Sequence, residues 1–255
     1  ASPQGCLADL RDASGNAAVP NQGYGVQLRG GTFTNTITGN RITNNATGGV
    51  YLAPSTNATP ASPTQNTFTG NTISSNGAVG ITLTSASSQN VIGAPGAGNI
   101  IQNHSSSGIE VQSAGNTIQA NDIRLNQIGV LINNAAGNTI GGASVAAGNN
   151  LHNNTLHGVL VNGSTATGNR ISHTVTSANG GKGIALAAGG NAPIAAARVN
   201  VTPPASGFTI TGSVSSCATP GCTVEIFTDD SPLTDEGPTF LTSVQPAAGG
   251  AFTAD

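Results

Sequence analysis

The chain has 255 residues, 36% hydrophobic but only 3% aromatic, with no Trp or Met. Charged residues make up 7% of it, against roughly 25% in ordinary soluble domains, and its net charge is −3. This balance excludes a basic surface for nucleic acid or anionic lipid, no apolar run is long enough to span a bilayer, and a core built on large side chains is out of reach.

The chain starts at Ala1 with neither an initiator Met nor a recognisable signal peptide, which points to a processed or excised segment. Residues 1–20 read in two ways. Ser2 as N-cap, Pro3 at the first helical position and Gly15 beyond the end give a short capping helix, with Leu7 and Leu10 on one face. The alternative is an irregular first coil leading into a repeat region.

From residue 21 the sequence repeats. A Gly-(Val/Ile)-x-aliphatic tetrad begins at Gly25, Gly49, Gly80, Gly108, Gly129, Gly158 and Gly183, with spacings of 24, 31, 28, 21, 29 and 25 residues. Such periods belong to solenoids. Each repeat adds two Asn-x-aliphatic triplets. The first series starts at Asn35, Asn66, Asn90, Asn116, Asn138 and Asn169; the second starts at Asn40, Asn71, Asn99, Asn121 and Asn149. Alternate strand residues face opposite sides, so Val26 and Leu28 point inward and Gln27 outward. Three short strands per turn then stack as parallel sheets, and the two Asn series form ladders at the bends. Glycine is expected at these bends because it reaches positive φ cheaply. Length variation falls in surface turns at Ala53–Gln65, Gly93–Gly98 and Gly141–Gly148. The phrases at 138–151 and 158–171 resemble the parallel β-helix repeats of large bacterial surface and secreted proteins, which share their fold with pectate lyases. The resemblance spans about residues 21–190 and implies fold more strongly than function.

After Pro203-Pro204 the register stops. Residues 208–214 and 223–227 alternate like sandwich strands, and Cys217 and Cys222 bracket a turn suited to a disulfide, leaving Cys6 unpaired. The expected architecture is therefore all-β: a right-handed parallel β-helix of about seven turns over 21–200, behind an N-terminal cap or coil at 1–20. A β-sandwich-like module, incomplete at its end, fills 201–255.

Chemistry is sparse along the outward columns. The tetrad column reads Gln27, Tyr51, Thr82, Glu110, Leu131, Leu160, Ala185, and only Glu110 is ionisable. An enzyme of this fold would have to work with Glu110, Asp122, Arg124 and Lys182. Asp122 and Arg124 also read as a plain exposed ion pair. His104, His152, His157 and His173 read as solvated turn residues rather than metal ligands. The acidic loop from Asp229 to Gly237 reads as a solvated turn before it reads as a calcium site. Six Asn-x-Ser/Thr sequons match chance expectation for this composition. Thr36, Thr67, Thr117 and Thr139 form a hydroxyl column, and Leu131, Leu160 and Ala185 an apolar stripe that suggests contact with another chain or an overlying segment. No cofactor or metal is expected. The reading is a non-enzymatic extracellular or cell-surface structural or adhesive protein, with self-association into filaments or carbohydrate as partner classes and neither nucleic acid nor membrane insertion. A polysaccharide lyase or hydrolase and a carbohydrate-binding module are the alternatives.

Overall fold

The computed structural model describes residues 21–55, 62–191, 198–202, 209–214, 222–229 and 235–254. The readings of residues 1–20, Cys6 and Cys217 lie outside the described residues.

Parallel pairing runs through the whole repeat region. The tetrads form a seven-stranded sheet from Tyr24–Arg29 to Ile184–Ala187. The first triplets form a six-stranded sheet from Thr36–Thr38 to Arg170–Ser172, and the second triplets another from Arg41–Thr43 to Val175–Ser177. Neighbouring strands thus come from successive turns, in unbroken register: Val26 beside Val50, Val50 beside Ile81, Ile109 beside Val130. The described residues form six complete turns and a seventh tetrad strand. The interior is a stack of aliphatic columns, such as Ile42, Ile73, Ile101, Ile123 and Leu151, fully or almost fully shielded from water. Each such side chain contributes roughly 1.5–3 kcal/mol on burial, which is how a chain so poor in aromatics obtains a core.

Positive φ serves glycines at the bends, as expected, but not the tetrad glycines. None of them adopts it; positive φ falls instead on turn residues such as Gly39, Gly70 and Gly115. A Cβ on Gly80 would stand 2.5 Å from the carbonyl oxygen of Gly108, and one on Gly49 would stand 2.5 Å from that of Gly80. The tetrad glycine is there for close stacking of turns.

Asparagine ladders hold the bends. The backbone N–H and Nδ2 of each rung both donate to Oδ1 of the next rung towards the C-terminus: Asn71 to Asn99 at 3.0 and 2.9 Å, Asn99 to Asn121 at 3.0 and 2.8 Å. The remaining Nδ2 hydrogen goes to a backbone carbonyl of the preceding turn, as from Asn99 to Phe68 and from Asn121 to Ile92. Such a rung uses both amide hydrogens and both Oδ1 lone pairs, so it is buried without an unmet polar group. The series from Asn35 runs on to Asn66, Asn90, Asn116, Asn138 and Asn169 through the same Nδ2-to-Oδ1 bonds, with the other amide hydrogen of Asn116 and Asn138 going to the nearby carbonyls of Ser113 and Ala136.

A third ladder, not anticipated, runs Asn21, Asn45, Asn76, His104, Asn126, Asn154, Asn179. His104 is therefore a buried rung, 4% exposed, and not a solvated turn residue. Its Nδ1 lies 2.9 Å from Oδ1 of Asn126 and its Nε2 lies 3.2 Å from Nδ2 of Asn76. These partners fit the neutral ring with the proton on Nδ1; a second proton on Nε2 would face an amide donor. Burial pushes the His104 pKa down to about 4, partly countered by the bond to Asn126. The folded chain thus refuses a proton that the unfolded chain accepts below its ordinary 6.5. The His104 contribution to stability is fully present above pH 6.5 and is lost, by roughly 3 kcal/mol, between there and pH 4, at about 1.36 kcal/mol per unit. Urea titrations across this window should show that loss, and His104→Asn, which restores the common rung, should remove it.

After the solenoid, Arg198–Thr202, Thr209–Ser213 and Ala251–Ala254 form a three-stranded antiparallel sheet, and Val224–Phe227 pairs with Phe240–Val244. Cys222 is disulfide-bonded.

Candidate functional site

The outer faces of the three sheets carry what chemistry the molecule displays. On the third sheet, Asp122 and Arg124 sit two apart on one strand, so both point outward. Register places Ile100 and Asn150 beside Asp122, and Gln102 and His152 beside Arg124. Arg124 donates to the Asp122 carboxylate and, through Nε, to Gln102 at 2.9 Å; Nε2 of His152 lies 2.9 Å from Oδ1 of Asp122. The cluster is half-buried and closed on itself.

Glu110 lies on a different face. It belongs to the tetrad sheet, between Thr82 and Leu131, and accepts from Nε2 of Gln112 at 2.8 Å. Lys182 stands at the far end, exposed, with its ammonium 2.7 Å from Asp235. Of the four candidate catalytic side chains the structure brings together only Asp122 and Arg124. The other histidines also have partners: Nδ1 of His157 accepts from the amide of Lys182, and Nδ1 of His173 lies 3.3 Å from Glu225. Among the described residues no three His, Cys, Asp or Glu side chains gather as a metal site.

The tetrad face has a feature that the sequence hid. The rings of Tyr24 and Tyr51 stack with centroids 4.4 Å apart and planes 18° apart, and the Arg29 guanidinium lies 5.4 Å from the Tyr51 ring centre. Gly48, opposite Tyr24, makes the room: a Cβ there would come within 3.0 Å of the Tyr24 ring. Burial, then the neighbouring Tyr51, push the Tyr24 phenol above its ordinary pKa. Tyr51 was visible as an outward residue; Tyr24 was not, because it precedes the tetrad.

Leu131, Leu160 and Ala185 do line up across neighbouring strands, but Leu131 and Leu160 are half-buried and Ala185 is only 8% exposed. The exposed aliphatic residues of that end are Ile184 and Leu186, at 43% and 48%. They occupy inward columns, and among the described residues no further tetrad strand stacks on them.

Residues 13–95 match the family described as "Right handed beta helix region". With unbroken parallel register through three sheets, this decides the matter. The chain is a right-handed parallel β-helix. A second family, described as "Periplasmic copper-binding protein (NosD)", matches residues 61–142. No curated protein matches the chain. Among solved structures, a point mutant of the tailspike protein of E. coli bacteriophage HK620, in complex with a pentasaccharide, is similar at 12% identity and a TM-score of 0.41. The similarity covers 90% of this β-helix chain and 50% of that one, so the chain spans half the length of the tailspike it resembles. No helix among the described residues is long and apolar enough to cross a membrane.

Proposed function

We propose that this β-helix is a non-enzymatic adhesive module of an extracellular or cell-surface protein, holding a partner on its outer faces without transforming it. One observation carries the reading: the two candidate carboxylates, Glu110 and Asp122, do not converge. Glycoside hydrolysis needs two carboxylates flanking one bond, roughly 5–10 Å apart across a cleft. Here Glu110 and Asp122 lie on separate sheets, Asp122 is engaged by Arg124 and His152, and Lys182 by Asp235. The division into a solenoid at 21–200 and a separate module at 201–255 belongs to the same proposal.

The partner class that the tetrad face favours is carbohydrate. Stacked rings offer a flat apolar surface with polar edges, and Gln27, Arg29 and Tyr51 provide donors and acceptors beside it. Tyr51→Ala should lower retention of a bound glycan at least about tenfold, the worth of one lost stacking contact, while leaving thermal stability nearly unchanged; glycan-array binding of the two proteins checks this. No retention by the parent chain on a broad array would remove carbohydrate as the partner.

A copper site in residues 61–142, which the second family's name invites, does not fit the side chains present. Copper takes imidazole, thiolate or thioether ligands. That span holds a single histidine and neither Cys nor Met, and both ring nitrogens of that histidine, His104, are engaged in the third ladder.

A further inference from the structure

The ladders have a direction. Every rung donates towards the C-terminus, so the final rung of each is left with a backbone N–H and an amide N–H and no rung to receive them. This is the solenoid counterpart of a helix N-terminus, and it calls for an acceptor cap. The first ladder is capped locally: the N–H of Asn169 donates to Oδ1 of Asn191 at 2.9 Å. The third ladder ends at Asn179, and its acceptor comes from 57 residues away. The Asn179 N–H lies 3.1 Å from both Glu236 oxygens, and its Nδ2 lies 2.5 Å from Oε1. One turn earlier, the same two donors of Asn154 meet Oδ1 of Asn179 at 3.0 and 2.9 Å.

We propose that Glu236 is a surrogate rung: its carboxylate takes the place of the next asparagine and latches the C-terminal module over the donor end of the solenoid. A carboxylate suits the last position because it only accepts, ending the donor chain without adding hydrogens that need partners. It is 5% exposed, so the reading of a solvated turn fails at Glu236, while Asp235 beside it is exposed. Its neighbours pair with the same end. The Gly237 N–H donates to Oγ1 of Thr176, the Thr176 N–H donates to the Gly237 carbonyl, and the Gly183 N–H donates to the Asp235 carbonyl. A second carboxylate, Glu225, accepts from Oγ of Ser172 at 2.5 Å and from the N–H of His173 at 2.7 Å. The final strands of two sheets, and Gly183 just before the final tetrad strand, thus meet the module through polar bonds.

The contact is a latch and not a fused core. A cavity of about 690 Å³ separates Arg170, Ile171 and Ile184 from Phe227 of the module, and Ile184 stays 43% exposed beside it. Opening the latch would free the backbone N–H groups of His173, Thr176 and Asn179 at the end of the solenoid, unpaired edge groups of the kind on which other strands add.

Residue-resolved hydrogen exchange on the full chain tests this. In the parent protein the Asn179 amide should be protected. Glu236→Ala should speed exchange at Thr176, Asn179 and Gly183 by about tenfold or more, as expected for loss of a local cap. Amides of earlier turns, such as Ile101 and Val130, should keep their rates. Glu236→Gln, whose Oε1 can still receive both donors, should stay close to the parent. An unprotected Asn179 amide in the parent overturns the proposal even if the alanine variant fails to fold. So does unchanged exchange in Glu236→Ala, or acceleration spread evenly over all turns.

Discussion

Asn121→Leu is expected to cost about 5 kcal/mol of stability, summing unmet buried groups at 1–3 kcal/mol each. Leucine matches asparagine in size and shape but has nothing to offer the ladder. Oδ1 of Asn121 accepts from the N–H and Nδ2 of Asn99 at 3.0 and 2.8 Å, and its Nδ2 donates to Ile92 and Asn149 at 2.8 and 3.1 Å. The site is 1% exposed, so water cannot stand in for the missing amide. The damage also reaches two neighbouring turns, because each rung serves both. Asn40→Leu is the internal control. Asn40 is the first rung of the same ladder and half-buried, and it donates to Thr38 and Asn71 without receiving from an earlier rung. Its loss should cost only about 1 kcal/mol, the net worth of one or two ordinary hydrogen bonds. Urea unfolding of both variants measures the contrast; equal costs would mean that the ladders contribute little beyond solvation.

The second large effect concerns the tetrad glycines. Gly80→Ala should destabilise by about 3 kcal/mol or more, at or above the upper end of ordinary overpacking, because its methyl would meet a backbone oxygen and not a movable side chain. Besides the Gly108 carbonyl at 2.5 Å, the new Cβ would press on Cγ2 of Ile101 at 2.8 Å and Cε1 of His104 at 3.0 Å. Relief requires the turns to separate, which breaks parallel pairing on both sides. Gly115→Ala is the comparison: φ there is +71° and nothing lies within 4 Å. Only left-handed strain of roughly 1–2 kcal/mol applies there. Thermal unfolding of the pair separates close packing from backbone conformation as the reason for glycine. A milder Gly80 variant would contradict the packing explanation.

These two positions also show how much of the fold was legible. Tetrads and triplets announce turns because strand alternation and turn stacking leave marks at fixed offsets, and the register survives insertions placed in loops. The same marks gave the tetrad glycine positions but not the reason for them: sequence spacing shows where glycine recurs, not which carbonyl faces it. The third ladder went unread because only Asn126 and Asn154 of its rungs are followed by a large aliphatic residue two positions on, and because His104 interrupts the series. Its signal was a fixed step of five from the second series: Asn40 to Asn45, Asn71 to Asn76, Asn99 to His104, Asn121 to Asn126, Asn149 to Asn154.

The candidate site was less legible, for a physical reason. Asp122 and Arg124 share one strand, so alternation alone puts them on one face. His152 joins them from the next turn, and Tyr24 joins Tyr51 across a strand pair, so both depend on exact register and on a neighbour small enough to admit a ring. Glu236 could not be assigned from sequence at all, since nothing local ties an acidic loop to an asparagine 57 residues earlier. Long-range caps leave no period to read.

The outer faces, on this reading, hold a partner and leave it chemically intact. The most direct measurement is to incubate the full chain with any polysaccharide it retains on an array and to assay new chain ends and polymer length over time. Retention with no new ends and unchanged length is the predicted result. Progressive shortening by the parent protein that disappears in Glu110→Gln, or in Asp122→Asn with Arg124→Ala, would contradict the claim and make those side chains a catalytic centre.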